Sequence, residues 1–373
     1  MASKSSSNYT AAVIPSAGAR VEYREFPTPA PVKGGLLLRV QYAGVCGTDR
    51  YLWQGKAAFP VPYVLGHEGI GRIEALGEGV TKDHAGQPVT VGDSVFWNPV
   101  GPCNACYHCT IEGDYTSCTN SSFLSPAGEG PWASYTTVAN LKPENAFFRI
   151  DPSTPVEAVI AVGCALTTIL QGVDNLGPRG IEPDSTVVIQ GAGPLGLASI
   201  MVASLARAKH ILVLEMHDKR LEIARRFGAT EVIDMREYDS AERRAQRIES
   251  ILAPAGAGVD LVIECSGSSH AFAEGLKLLR RNSRYLLVGT WAGDADVPVN
   301  PYHIVRNAQQ IIGTTYAGPK QYYRAVKLVE RYHREFPLAD CVTHKLPLVR
   351  CEEAFELITN GDTVKVLVEP SQQ

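Results

Sequence analysis

A chain of 373 residues is longer than one ordinary core needs and suits two domains. Hydrophobic residues make up 45 % and charged residues 20 %, which excludes the disordered and fibrous classes. The net charge is −4 and no basic block is present, so neither a nucleic-acid footprint nor a polybasic membrane patch is visible.

In chain order, the polar, Ser-rich start "MASKSSSNYT" lacks an apolar core and reads as a disordered tail rather than a signal peptide. Short alternating or β-branched runs follow, broken by Gly and Pro: "GGLLLRVQYAGV", "GIGRIEALGEGV", "PVTVGDSVFW" and "WASYTTVAN". Strands at this spacing, with turn signals between them, predict an irregular β-barrel or stacked sheets. "DPSTPVEAVIAVGCALTTILQGV" opens with capping residues and a proline, and predicts a buried helix rather than a membrane span.

From residue 185 the pattern changes. "STVVIQGAG", "HILVLEM", "TEVIDM", "VDLVIECSG" and "SRYLLVGTWAG" read as buried strands alternating with helices. That alternation predicts a doubly wound parallel sheet, hence an α/β protein. Near residue 310 it fades, and "RCEEAFELITNGDTVKVLVEP" reads as a helix and a strand returning to the first domain.

"VVIQGAGPLG" places Gly191, Gly193 and Gly196 as G-x-G-x-x-G between a strand and a helix, with Pro194 and Leu195 opening the helix. The spacing suits a dinucleotide pyrophosphate at a helix N-terminus. Glu215 ends the next strand, where a ribose-binding carboxylate falls. Its charge would repel a 2′-phosphate and favours NAD over NADP, with Arg220 nearby as the residue that argues the other way.

Nine cysteines, an odd total, argue for thiols or metal rather than disulfides, and so for a reducing, cytoplasmic compartment. Cys103, Cys106, Cys109 and Cys118 suit a closed tetrahedral metal site, either structural zinc or an iron–sulfur cluster. His108 lies inside that loop and reads as solvated. A second set is dispersed: Cys46, His67 with Glu68, and Cys164. Two thiolates and one imidazole leave the fourth position open, as a catalytic zinc requires. Singly, Cys164 reads as a small buried residue and His67 as a core histidine; only the conjunction suggests a site.

The motifs "CGTD", "GHEGIGRIEALGEGV", "VGDSV", the four-cysteine lobe, "GCALTT", "GAGPLG" and "ECSG" occur in this order. With them the chain resembles the zinc-dependent medium-chain dehydrogenase/reductase superfamily, the alcohol, sorbitol and threonine dehydrogenase relatives. The resemblance implies a GroES-like irregular β-barrel catalytic domain over 1–164 and 310–373, and a Rossmann coenzyme domain over 165–309. The zinc lobe spans about 101–120 of the first. It implies two Zn2+ per chain, one held by the four lobe cysteines in place of an iron–sulfur cluster and one by Cys46, His67 and Cys164.

Residue by residue, Glu68 resembles the acidic neighbour that approaches the metal, Asp49 the carboxylate that orients His67, and Thr48 the hydroxyl that takes the substrate proton. Lys365 resembles a basic residue on the cofactor pyrophosphate. The implied activity is reversible oxidation of an alcohol to a carbonyl, with the ion stabilising an alkoxide and NAD accepting the hydride. In relatives the neighbourhoods of Trp53, Phe59 and Trp291 line the substrate pocket, which implies an apolar alcohol, secondary or cyclic, unless these aromatics simply pack where the domains meet. The alternatives are a polyol or amino-alcohol dehydrogenase, or a zinc-independent enoyl or quinone reductase or non-catalytic NAD-binding protein. The expected partners are a small alcohol or ketone and further copies of the chain, as a homodimer or homotetramer, with no nucleic acid and no membrane.

Three departures stand out. The Cys109–Cys118 gap holds eight residues, one more than is usual, and should be absorbed by a bulge. Tyr51 stands where many alcohol dehydrogenases carry a relay histidine. Cys164 stands where sorbitol-type relatives often use a glutamate further along.

Overall fold

Residues 8–56, 61–123, 125–128, 130–253, 258–289 and 296–372 are described by a computed structural model. The chain divides into a first unit of Met1–Cys164, Ala317–His333 and Val342–Gln373, and a second of Ala165–Tyr316 and Arg334–Cys341.

The first unit opens with β1 (Asn8–Ile14), β2 (Glu22–Pro27), β3 (Leu36–Gly44) and α1 (Gly47–Trp53). β4 (Tyr63–Val64), β5 (Gly69–Leu76), β6 (Ser94–Trp97), β7 (Ser125–Pro126), β8 (Val138–Leu141) and β9 (Phe147–Arg149) follow. One four-stranded sheet runs β2-β1-β4-β7, with antiparallel pairing throughout. The larger sheet pairs β3 with β5, β5 with β6, β6 with β9, and β8 with β3, all antiparallel. β3 and β5 alternate buried and half-exposed positions only in part, because both faces of β3 meet apolar neighbours. The core here includes Leu36, Leu38, Val40, Ile73, Trp97 and Phe147.

α2 (Val156–Asn175) is long and apolar enough to cross a membrane, but 67 % of its apolar window is buried within the protein, as a core helix requires. Its helical course is interrupted at Gly163, whose φ of 28° and ψ of −127° lie outside the helical region.

The second unit alternates strand and helix. It contains β10 (Thr186–Gln190), α3 (Pro194–Leu205), β11 (His210–Glu215), α4 (Asp218–Arg226), β12 (Glu231–Asp234) and α5 (Ala241–Leu252). β13 (Val259–Glu264), α6 (Ser269–Leu278), β14 (Leu279–Leu287), α7 (Pro301–Asn307) and β15 (Gln310–Gly313) complete it. The sheet order is β12-β11-β10-β13-β14-β15, all parallel, reversing direction of growth beside β10. All five residues of β10 are buried, which is why "TVVIQ" is an unbroken rather than an alternating run.

The chain then returns to the first unit through α8 (Pro319–Tyr332), β16 (Val342–Pro347), α9 (Cys351–Leu357) and β17 (Lys365–Glu369). β17 pairs with both β16 and β3, so that β16 forms an edge of the larger sheet. The return comes at Ala317 rather than at 310, because β15 hydrogen-bonds to β14 and belongs to the parallel sheet. Residues 334–341 also belong to the second unit.

Candidate active site

Three separate stretches bring one cluster together. Cys46 follows the end of β3 as the N-cap of α1, His67 and Glu68 form the turn that enters β5, and Cys164 follows the break in α2. One donor atom from each of Cys46, His67, Glu68 and Cys164 lies within 4.8 Å of every other. The break at Gly163 is what admits this geometry. A Cβ at Gly163 would overlap Glu68 Oε2, so a side chain there would exclude the carboxylate from the cluster.

Hydrogen bonds orient the donors. His67 Nδ1 donates to Asp49 Oδ1 at 2.9 Å, since a carboxylate only accepts, and in the neutral imidazole this selects the tautomer that leaves Nε2 with its lone pair. Cys46 N–H donates to Asp49 Oδ2 at 3.0 Å. Glu68 Oε2 is paired with Lys365 Nζ at 2.6 Å, while its Oε1, buried, has no hydrogen-bond partner.

The Cys164 thiol donates to Cys46 Sγ across 3.7 Å and holds Cys46 well below the usual thiol range. The same contact and burial push Cys164 well above it. Burial opposes protonation of His67, but the charges of Asp49 and Cys46 outweigh it and raise His67 well above its ordinary value. Burial works against ionised Glu68 as well, and Lys365 and His67 outweigh it to pull the carboxyl down. Two thiols, one imidazole and an orphaned carboxylate oxygen fit a soft divalent ion such as zinc.

Thr48 and Tyr51 lie half-buried in α1, next to this cluster in sequence. Trp53 is half-buried: its Nε1 donates to Ala19 O at 3.0 Å and its ring packs 5.6 Å from Phe355. Phe59 and Trp291 lie outside the described residues.

Lys365 also differs from expectation. Its ammonium is 2 % exposed and committed to Glu68, with Val45 O at 3.5 Å, rather than offered to a phosphate. Burying the Glu68 carboxylate demands an internal counter-charge, and β17 supplies it.

The second cluster is the four-cysteine lobe. Cys103, Cys106, Cys109 and Cys118 bring their sulfurs within 4.8 Å of one another, and none is in a disulfide. Cys106 Sγ lies 3.5 Å from Cys109 Sγ and 3.9 Å from Cys118 Sγ. The backbone N–H of Cys109 leads the contacts that lower Cys106 to about 6, the thiolate form that metal binding needs. Between Cys106 and Cys118 the chain forms a π-helical turn over His108–Glu112, closed by Gly113 in the left-handed conformation. His108 is half-buried and pairs with Glu112 at 2.6 Å, outside the sulfur set.

The glycine-rich turn is built as a phosphate cradle. Gly191, at a φ of 90°, makes the tight turn after β10, and a Cβ on Gly193 would meet only open space. A Cβ on Gly196 would overlap Gly191 O, so the third glycine lets α3 pack on the turn. Pro194 is the first residue of α3 and Leu195 the second, so the helix N-terminus faces that open space. Glu215 is buried. Its Oε2 accepts from Ala192 N at 2.9 Å, and its Oε1 accepts from Met216 N at 2.7 Å and His217 N at 3.1 Å. The carboxylate therefore braces the glycine turn while Oε2 retains capacity for one further donor. Arg220 lies half-buried in the first turn of α4.

Sequence reasoning missed Tyr135, whose hydroxyl donates to Asp49 Oδ2 at 2.8 Å. "WASYTTVAN" reads as a strand, and a tyrosine in a strand reads as core.

Comparison with known proteins gives two family matches: "Alcohol dehydrogenase GroES-like domain" over residues 32–145 and "Zinc-binding dehydrogenase" over residues 194–331. The chain is 41 % identical to the 5-exo-hydroxycamphor dehydrogenase of Pseudomonas putida over 351 residues, which cover 94 % of this chain and 96 % of that protein. It is 28 % identical to the sorbitol dehydrogenase of Halalkalibacterium halodurans, over 93 % of this chain and 95 % of that one. Among solved structures, an alcohol dehydrogenase from Thermotoga maritima matches with a TM-score of 0.89 and 28 % identity, covering 98 % of this chain and 100 % of that one.

Proposed function

The chain belongs to the zinc-dependent medium-chain dehydrogenase/reductase superfamily and is an oxidoreductase acting on alcohols, and we propose that it oxidises a cyclic, apolar secondary alcohol with NAD as the hydride acceptor. The observation that carries the chemistry is the convergence of Cys46, His67, Glu68 and Cys164 within 4.8 Å. The substrate class rests on the 41 % identity, over nearly the whole chain, to a dehydrogenase of a hydroxycamphor.

In this reading Cys46, His67 and Cys164 hold zinc, and the lobe cysteines hold a second, structural zinc. When bound at the first cluster, zinc supplies a Lewis acid that polarises the substrate's C–O group and eases loss of the hydroxyl proton. Asp49 keeps the proton of His67 on Nδ1, so that Nε2 remains a donor to the metal. Thr48 takes the hydroxyl proton of the substrate and passes it outward; Tyr51 in the same helix leaves that route without the usual histidine. Glu68 contributes a second negative charge beside the donor set, and Lys365 keeps that charge ionised in a dry site.

NAD supplies the hydride acceptor. Gly191, Gly193 and the N-terminus of α3 would receive its pyrophosphate, and Glu215 Oε2 a ribose hydroxyl. The same carboxylate disfavours the 2′-phosphate of NADP. With nine thiols and none bridged among the described residues, a reducing cytoplasmic compartment suits both metal clusters.

A screen of NAD reduction over bicyclic secondary, primary and polyol alcohols tests this reading. The bicyclic and other cyclic secondary alcohols are expected to give the highest kcat/KM. A preference for polyols or primary alcohols would contradict the substrate class.

A further inference from the structure

The hydrogen-bonded chain that begins at His67 does not end at Asp49. We infer that Tyr135 is a positioning residue for the metal-binding histidine, acting through Asp49; the inference rests on the reading that Cys46, His67 and Cys164 hold a metal ion.

Asp49 and Tyr135 are both 0 % exposed, so every polar atom between them must be satisfied from within the protein. Asp49 Oδ1 serves His67. Its Oδ2 receives two donors: the N–H of Cys46 at 3.0 Å and the Tyr135 hydroxyl at 2.8 Å. That hydroxyl also lies 3.2 Å from Gly44 O, but the charged oxygen is nearer and is the stronger acceptor.

Tyr135 is itself fixed at three points. Its N–H donates to Leu65 O at 3.1 Å, its carbonyl accepts from Ala12 N at 2.9 Å, and its ring packs 5.5 Å from Phe355. Leu65 stands two residues before His67. The backbone of Tyr135 therefore clamps the turn that carries the histidine, while its hydroxyl clamps the carboxylate that orients the ring.

A phenylalanine would fill the same volume and leave Oδ2 with one donor. The carboxylate then gains freedom to rotate, and with it the imidazole plane loosens. Partners of this kind, one bond removed from the metal, typically govern its affinity by about 10- to 100-fold. Tyr135 is one bond further out, so an effect of about tenfold is expected for Tyr135→Phe.

The test uses the full chain loaded with zinc or cobalt(II). Metal release to a chelator is followed at both clusters, with the four-cysteine lobe as an internal reference, together with the ligand-field spectrum of the cobalt form. Tyr135→Phe should weaken metal at the Cys46/His67/Cys164 cluster about tenfold, shift the cobalt spectrum, and leave the lobe unchanged. The same substitution in an Asp49→Asn background should add nothing, because the two residues act through one carboxylate. Phe355→Leu, which loosens the same packing without touching a hydrogen bond, should lower the unfolding midpoint and leave the spectrum unmoved.

Wild-type affinity and spectrum in Tyr135→Phe would overturn the inference, and so would an equal spectral change in Phe355→Leu. A wild-type chain that takes up metal only at the lobe would instead overturn the underlying reading, and the inference with it.

Discussion

Glu68 and Lys365 stand 297 residues apart in the chain and meet as an ion pair of 2.6 Å, with the two side chains 0 % and 2 % exposed. The pair is walled by Gly44 and Gly163, where a Cβ would collide with Glu68. Breaking a buried pair from one side leaves an uncompensated charge, which costs about 3–5 kcal/mol. Lys365→Met should therefore lower the unfolding free energy by that amount in urea titrations. Adding Glu68→Gln should recover most of the loss; a single variant as stable as the wild type would show that the pair carries no such charge.

Gly163→Ala tests the break in α2. The residue sits at a φ of 28°, where a Cβ is strained, and the added methyl would displace Glu68. Backbone strain of this kind costs about 1–3 kcal/mol. The variant should lose that much stability and bind metal more weakly at the Cys46/His67/Cys164 cluster, with lobe metal retained, as calorimetric titration would show. Wild-type affinity would mean that Cys164 does not depend on the break.

In the proposed reading the four-cysteine lobe binds its metal independently of the first cluster. Cys118→Ser should remove one of two metal equivalents per chain, measured by elemental analysis after dialysis. Deleting Ile111, which is 71 % exposed in the π-helical turn, should relax that turn to α-helical geometry and keep the metal. Loss of lobe metal on the deletion would make the extra residue part of the ligand geometry rather than a tolerated insertion.

Glu157 gives a pH signature of its own. Lys345 Nζ at 2.6 Å and the Tyr42 hydroxyl at 2.7 Å donate to its Oε1 and hold its carboxyl below the ordinary 4.5. A lowered folded-state pKa stabilises the fold above the unfolded value, and that contribution disappears as pH falls through the folded value. Because the pair is partly exposed, its worth is under about 1 kcal/mol. The stability gap between wild type and Glu157→Gln should be present at neutral pH and close on acidification below about 4.5; a gap independent of pH would assign the effect to packing.

How much of this was legible follows from how each feature is encoded. Cys46, His67, Cys164 and the lobe were readable because metal binding restricts residue type, and the glycines because a tight turn does. The return of the chain at Ala317 was obscured because β15 is only four residues long and follows no helix-sized apolar period. Lys365 was assigned by resemblance to the cofactor pyrophosphate, yet its ammonium is paired inside the fold with Glu68, a partner that no local pattern announces. Tyr135 was invisible for the same reason: its hydroxyl meets Asp49 across 86 positions of sequence.

The central claim is that the cluster of Cys46, His67 and Cys164 makes this chain an NAD-linked dehydrogenase of a cyclic secondary alcohol. Its most direct test is the initial rate of NADH formation from a bicyclic secondary alcohol, for zinc-loaded wild type beside His67→Ala, with NAD binding followed in parallel. The expected result is turnover in the wild type and none in His67→Ala, with NAD bound equally by both. Full turnover in metal-depleted His67→Ala would contradict the claim.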